Sequence, residues 1–77
     1  MEIKVLGPGC AKCHTLDKLV REVVSEQKLN ARVEYIQDMR QIAEYHLMAT
    51  PALVVDNKVV SSGRVPGKDE IVRLLQG

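Results

Sequence analysis

The stretch GPGCAKC, residues 7–13, decides how the rest of the chain is read. Gly7, Pro8 and Gly9 interrupt any regular element, and Cys10 and Cys13 follow three positions apart. Upstream, Glu2 to Leu6 (EIKVL) alternates in the manner of a strand and ends at the glycines. Downstream, Cys13, Leu16, Leu19, Val20, Val23 and Val24 recur at helical spacing, while Asp17, Lys18, Arg21, Glu22 and Glu26 fill the other side. The spacing predicts an amphipathic helix of about four to five turns, opened by Cys10. The cysteine pair therefore falls where a first strand passes into a first helix.

Working outward, Ala31 to Ile36 (ARVEYI) has strand composition, and Gln37-Asp38 leads into a second helix. Asp38 is its expected N-cap, and Met39, Ile42, Ala43 and His46 or Leu47 lie along one face. The residue before a proline is driven out of helical geometry, so Thr50 marks a boundary. Ala52 to Val55 is a short apolar run, Asp56-Asn57-Lys58 a turn, and Val59-Val60 the start of a return strand. Gly63 to Gly67 reads as a loop, and the last helix starts near Lys68 with Ile71, Val72, Leu74 and Leu75 on its buried face. The order is β-α-β-α-β-β-α without internal repeat or linker. A right-handed crossover makes the first two strands parallel, the hairpin adds two more, and helices cover both faces of a four-stranded mixed sheet. The fold class is α/β.

A chain of 77 residues buries only about 60% of its unfolded surface and does not divide into two cores, so residues 1–77 are expected to form a single domain. Hydrophobic and charged fractions of 45% and 27% are those of a globular protein, and no apolar run approaches the roughly 18 residues of a membrane span. The start MEIKVL carries an acid and no signal-peptide pattern, and a cytoplasmic location is expected. Net charge is +1 with cations spread along the chain, and Tyr35 and Tyr45 are the only aromatics. Neither the basic stripe nor the stacking platforms of a nucleic-acid binder are present. The core must come from Val, Leu, Ile, Ala and Met.

On residues alone, the cysteine pair supports three chemistries. A bridge that only braces the fold would close too short a loop to restrict the unfolded chain much, and a cytoplasmic compartment would tend to reduce it. Two thiolates are half of a tetrahedral zinc site and suit Cu(I), and a cluster shared between two subunits also needs few ligands per chain. His14 is the nearest third ligand, but it projects from a different part of the helix and reads as a solvent-facing or packing residue. Copper-carrying domains with Cys-x-x-Cys run β-α-β-β-α-β, whereas this chain puts a helix between its second and third strands. The third chemistry is thiol-disulfide exchange. Elsewhere, Asp69 and Glu70 read as surface acids favoured by a helix dipole, Met48 as a substrate-groove residue or equally as a core or rim methionine, and both tyrosines as packed with hydroxyls toward water.

A Cys-x-x-Cys between a first strand and a helix, Thr50-Pro51 directly before the third strand, and Gly63 after the fourth together resemble the thioredoxin superfamily over essentially the whole chain. In size the chain is most similar to glutaredoxins and to small thioredoxin-like redox-active disulfide proteins. The resemblance implies a thioredoxin fold, a cis Thr50–Pro51 bond, and a substrate surface formed by Ala49, Thr50, Pro51 and Gly63; Lys12, between the cysteines, reads from its charge either as a substrate-facing residue that adds positive potential or as a solvated lysine. The resemblance also implies protein-disulfide reductase activity with no cofactor beyond the Cys10–Cys13 disulfide and no metal. Cys10, near unsatisfied amides at the positive end of the helix, is the expected nucleophile because that setting favours thiolate. Cys13, on the same helical face, is the expected resolving thiol.

Several positions depart from the better-known patterns. Gly9 precedes Cys10 where thioredoxins typically have Trp, and Ala11-Lys12 replace Gly-Pro between the cysteines. Lys4 occupies the first strand, where many thioredoxins keep a buried acid. Glutaredoxins usually have an aromatic residue at the position of Lys12 and an acidic pair where Arg64-Val65 follows Gly63. A thioredoxin-reductase-like protein is therefore the expected electron donor in place of glutathione. Protein disulfides are the expected substrates, with no nucleic acid or membrane partner, and the chain is expected to be a monomer.

Overall fold

The computed structural model describes residues 1–76. Its elements are β1 (Glu2–Leu6), α1 (Ala11–Glu26), β2 (Arg32–Ile36), α2 (Met39–Ala43), β3 (Ala52–Val55), β4 (Lys58–Ser62) and α3 (Lys68–Gln76). The strands form one sheet in the order β2-β1-β3-β4, with β1 parallel to β2 and antiparallel to β3, and β3 antiparallel to β4. This is the four-stranded mixed sheet expected from the sequence.

Alternation along the strands separates two hydrophobic clusters. Ile3, Val5 and Leu53 face the side covered by α1 and α3, where Leu16, Val20, Val23, Ile71 and Leu75 complete the larger cluster. Leu6, Ala52 and Val54 face the other side, where Ile36 and the Ile42 side chain of α2 close a smaller one. Leu19, Val24, Val72 and Leu74, assigned to buried faces from spacing, are only partly buried and pack against the larger cluster. At the surface, the Lys68 ammonium reaches Glu26 at 2.7 Å and Glu22 at 3.3 Å, joining α3 to α1. Exposed pairs of this kind add little stability, and the two clusters hold the layers together.

Three local features differ from the sequence reading. The second helix is a single turn, because the Glu44, Tyr45 and His46 amides bond three residues back to Gln41, Ile42 and Ala43. His46 then takes a φ of +54°, which ends the helix. In the hairpin, Asp56 and Asn57 both have positive φ (48° and 69°), the two-residue turn that matches strand twist. Lys58 accordingly belongs to β4 and not to the turn. Leu53 pairs with Ser61 and Val54 with Val59, so Val60 is an extra residue in the ladder, a bulge that spacing could not reveal.

Leu16 is fully buried at the centre of the larger cluster, whereas Asp38 caps one turn by accepting the Arg40 amide at 2.8 Å. Leu16→Ala is expected to cost about 3 kcal/mol of unfolding free energy, and Asp38→Ala about 1 kcal/mol. Denaturant midpoints of the two variants test this order.

Candidate active site

Helix α1 begins on a cysteine where Ser, Thr, Asp or Asn usually stands. Cys10 is its N-cap, in extended geometry (φ −73°, ψ 169°), and its Sγ accepts the Cys13 amide proton at 3.3 Å. Its carbonyl accepts the His14 amide at 3.0 Å. The Cys10 sulfur therefore lies among the free amides at the positive end of a 16-residue helix whose first turn holds no acid. Cys10 and Cys13 are joined as a disulfide with Cα atoms 5.1 Å apart. Cys10 is exposed and Cys13 completely buried.

Burial of Cys13 depends on Gly7. The Gly7 amide donates to the Ile36 carbonyl at 3.0 Å, fixing the loop against the end of β2. A Cβ on Gly7 would overlap the Cys13 sulfur, lie 2.9 Å from Cys13 Cβ, and come within 3.8 Å of Pro51 Cβ. Gly7, Cys13 and Pro51 thus form one contact. In the sequence Gly7 reads only as a strand breaker, and its place between strand and cysteine pair was the sole signal of this packing role.

Beyond Pro51 the remaining candidate residues assemble in sequence. Pro51 is buried, its bond to Thr50 is cis, and its carbonyl accepts the Gly63 amide at 2.9 Å. Gly63 has φ +76°, and a Cβ there would stand 3.2 Å from Ala49 Cβ. Ala49, Thr50, Pro51 and Gly63 are therefore one neighbourhood, joined through Pro51 to Gly7 and Cys13. Lys12 lies on the exposed side of the first turn of α1. A groove lined by Met39, Ile42, Leu47 and Met48 ends at Ala49 and Thr50. Met48 is 98% exposed, which rules out a core role and leaves the groove rim.

Other residues lie elsewhere than expected. The Tyr35 hydroxyl is buried without a hydrogen-bond partner instead of facing water. Burial, followed by the Asp17 carboxylate, pushes its pKa above the usual tyrosine value, and nearby Gln37 opposes that shift without completing a hydrogen bond. The His14 ring packs edge-on against Tyr35 with centroids 5.5 Å apart. Tyr45 accepts from Lys4 Nζ at 3.3 Å, a bond that raises the lysine pKa. Lys4 thus points to the α2 face, whereas Cys13 packs with α1 on the opposite one. Glu70 is held below the usual carboxylate range by its two-pronged pair with Arg64, one arm of which measures 3.0 Å.

Among the described residues no group of three His, Cys, Asp or Glu side chains converges on a point. Cys10-Ala11-Lys12-Cys13-His14 also has the spacing of covalent haem attachment. Cys13 would have to leave its buried seat against Gly7 to bond a macrocycle, and the His14 ring is engaged with Tyr35.

The family model for the thioredoxin domain matches residues 1–76. The chain belongs to the thioredoxin family. A protein of Methanothermobacter thermautotrophicus named thioredoxin is 44% identical over 75 residues, covering 97% of both chains. Another of that name, from Methanocaldococcus jannaschii, is 32% identical over 69 residues, 90% of this chain and 79% of its own. The strand order, the helix-capping cysteine and the disulfide are accordingly those of a thioredoxin-fold redox protein, and its general chemistry is thiol-disulfide oxidoreduction.

If the seat of Cys13 in this thioredoxin domain requires a bare Gly7, Gly7→Ala should destabilise the protein by about 1–3 kcal/mol through overpacking. Gly67, where an added Cβ meets nothing within 4 Å, is the comparison. Gly67→Ala should cost less than about 1 kcal/mol. Alkylation of the reduced Gly7→Ala protein should also label Cys13 faster than in the parent.

Proposed function

We propose that Cys10 and Cys13 reduce disulfides in partner proteins by cycling between dithiol and disulfide. The observation that carries this reading is the unequal setting of the two sulfurs: one exposed at a helix N-cap, the other buried behind it within bonding distance. In the reduced protein the helix amides favour a Cys10 thiolate, which attacks one sulfur of a substrate disulfide. That S–S bond breaks, a mixed disulfide forms on Cys10, and the leaving thiolate takes up a proton. Cys13 then loses its proton and attacks Cys10 Sγ. The Cys10–Cys13 bond forms and the second substrate thiolate departs, so two electrons have passed from dithiol to substrate.

Ala49, Thr50 and Pro51 border this site through Gly7, and their backbone is proposed to receive the extended substrate segment, with Gly63 beside them. Residues 1–77 would act as one domain and as a monomer in the cytoplasm, re-reduced by a thioredoxin-reductase-like protein. No helix among the described residues is long and apolar enough to cross a membrane.

The roles separate in single variants. Cys13→Ser keeps the attacking sulfur and removes the one that releases product, so disulfide-linked adducts with cellular proteins should accumulate and disappear with dithiothreitol. Cys10→Ser should form few or none, and both variants should lose insulin reduction. A carrier of Cu(I), zinc or a shared iron-sulfur cluster would lose its cargo with either substitution and gain adducts with neither. Non-reducing gels and intact masses of the two variants, beside metal content of the parent, decide between these readings.

A further inference from the structure

The distribution of charge around the disulfide carries a statement about substrates, and it rests on the reading of Cys10 as the attacking sulfur. The chain holds nearly equal numbers of acids and cations, 10 Asp and Glu against 11 Lys and Arg. The acids are nonetheless absent from three long runs of the chain. No Asp or Glu occurs between Glu2 and Asp17, between Glu44 and Asp56, or between Asp56 and Asp69. These three acid-free runs include the segments that meet at the site: the Gly7–Cys13 loop and helix start, the Ala49–Pro51 segment, and Gly63.

Cations are not excluded in the same way. Lys12 stands between the cysteines, exposed, in a first helical turn where a positive charge opposes the dipole and an acid would be favoured. Neighbouring charges are already engaged. Asp17 pairs with Arg21, Arg64 with Glu70, and Lys68 with Glu22 and Glu26, while the Asp38 carboxylate caps the Arg40 amide of α2. Among the described residues no acid lies within ion-pair distance of Lys12.

We infer that Lys12 is a specificity-determining residue that favours protein disulfides whose attacked half-cystine is flanked by an acidic residue. With the substrate segment along Ala49–Pro51 and its sulfur bound to Cys10, the inference puts a residue beside the half-cystine within reach of the exposed Lys12 ammonium, two positions along α1. An acid there meets an unpaired ammonium with no competing carboxylate, whereas a basic neighbour meets like charge. The selection acts on capture of the substrate and uses the same exchange step as any other disulfide.

The test uses symmetric disulfide peptides identical except for Asp, Gln or Arg beside the cysteine. Reduced protein is mixed with each, and second-order rates of exchange are read at pH 7 and an ionic strength of about 0.01 M. Neighbouring charge also alters the peptide's own reactivity, and Lys12 alters that of Cys10. The Asp-to-Arg rate ratio, compared between parent and variants, cancels both. For charges on the order of 7 Å apart in water, removal of one ammonium changes this ratio by about five- to tenfold. Lys12→Gln should therefore lower the ratio by about that factor, and Lys12→Glu by a similar factor again. Salt near 1 M should bring the parent toward the Lys12→Gln ratio. Lys18→Gln, further along α1, should leave it unchanged.

A ratio that stays the same in Lys12→Gln and Lys12→Glu, with exchange still measurable, overturns the inference and leaves the reductase reading standing. An equal fall in Lys18→Gln also overturns it, since the effect would belong to overall charge. Failure of the parent to exchange with any peptide would instead remove the reductase reading and this inference with it.

Discussion

The close approach of Cys13 to Gly7 is the constraint on which the rest of the molecule depends. Interiors are packed to crystal-like density, so a single methyl group at position 7 would have to push either the loop or the helix aside. The helix cannot retreat without cost. One turn below Cys13 begins the row Leu16, Val20 and Val23, whose contacts with Ile3 and Val5 form the larger cluster. Seating Cys13 this deeply also fixes the start of α1, and with it the N-cap position of Cys10. The exposure of one sulfur and the burial of the other follow from one missing side chain.

The two faces of the sheet serve the site differently. On the α1 and α3 face, eight buried residues bind two helices to the sheet and make a firm base for the disulfide. On the other face the one-turn helix α2 contributes only Ile42 to the buried set, and Met39 and Met48 remain exposed. The thinner covering leaves the groove that ends at Ala49 and Thr50. It also gives Lys4 room to reach Tyr45 from the middle of a strand, which a fully apolar cover would not allow.

Much of this was legible because the period of apolar residues is a strong signal wherever an element is long and one face is buried. The β1 span and the α1 stripe come directly from EIKVL and from Cys13, Leu16, Val20 and Val23, and the cysteine pair lies on the boundary between them. What was not legible depends on atoms distant in sequence or on single backbone angles. The early end of α2 rests on the left-handed conformation of His46. The bulge at Val60 rests on registry between two strands, and the buried Tyr35 hydroxyl on its fit beneath α1. Gly7 is the most instructive case. Its neighbours Pro8 and Gly9 made a turn-forming explanation sufficient, so nothing local indicated that the missing side chain makes room for a sulfur in the following helix.

The position of the disulfide relative to the cores bears on how such a bond can open and close. Neither hydrophobic cluster includes Cys10 or Cys13. The bond spans a separation of three residues within the start of one helix and ties no element to another. By the chain-entropy account, closing so short a loop stabilises the fold by about 2 kcal/mol. That is a modest share of the 5–15 kcal/mol typical of domains. Breaking the bond therefore leaves the sheet, both clusters and the Gly63–Pro51 hydrogen bond with their own means of support. The Cys10 side chain, as an N-cap, already stands against a helix amide, the place where a sulfur anion is best accommodated. A disulfide placed this way can be opened by reduction and re-formed on oxidation while the sheet and both clusters keep the protein folded.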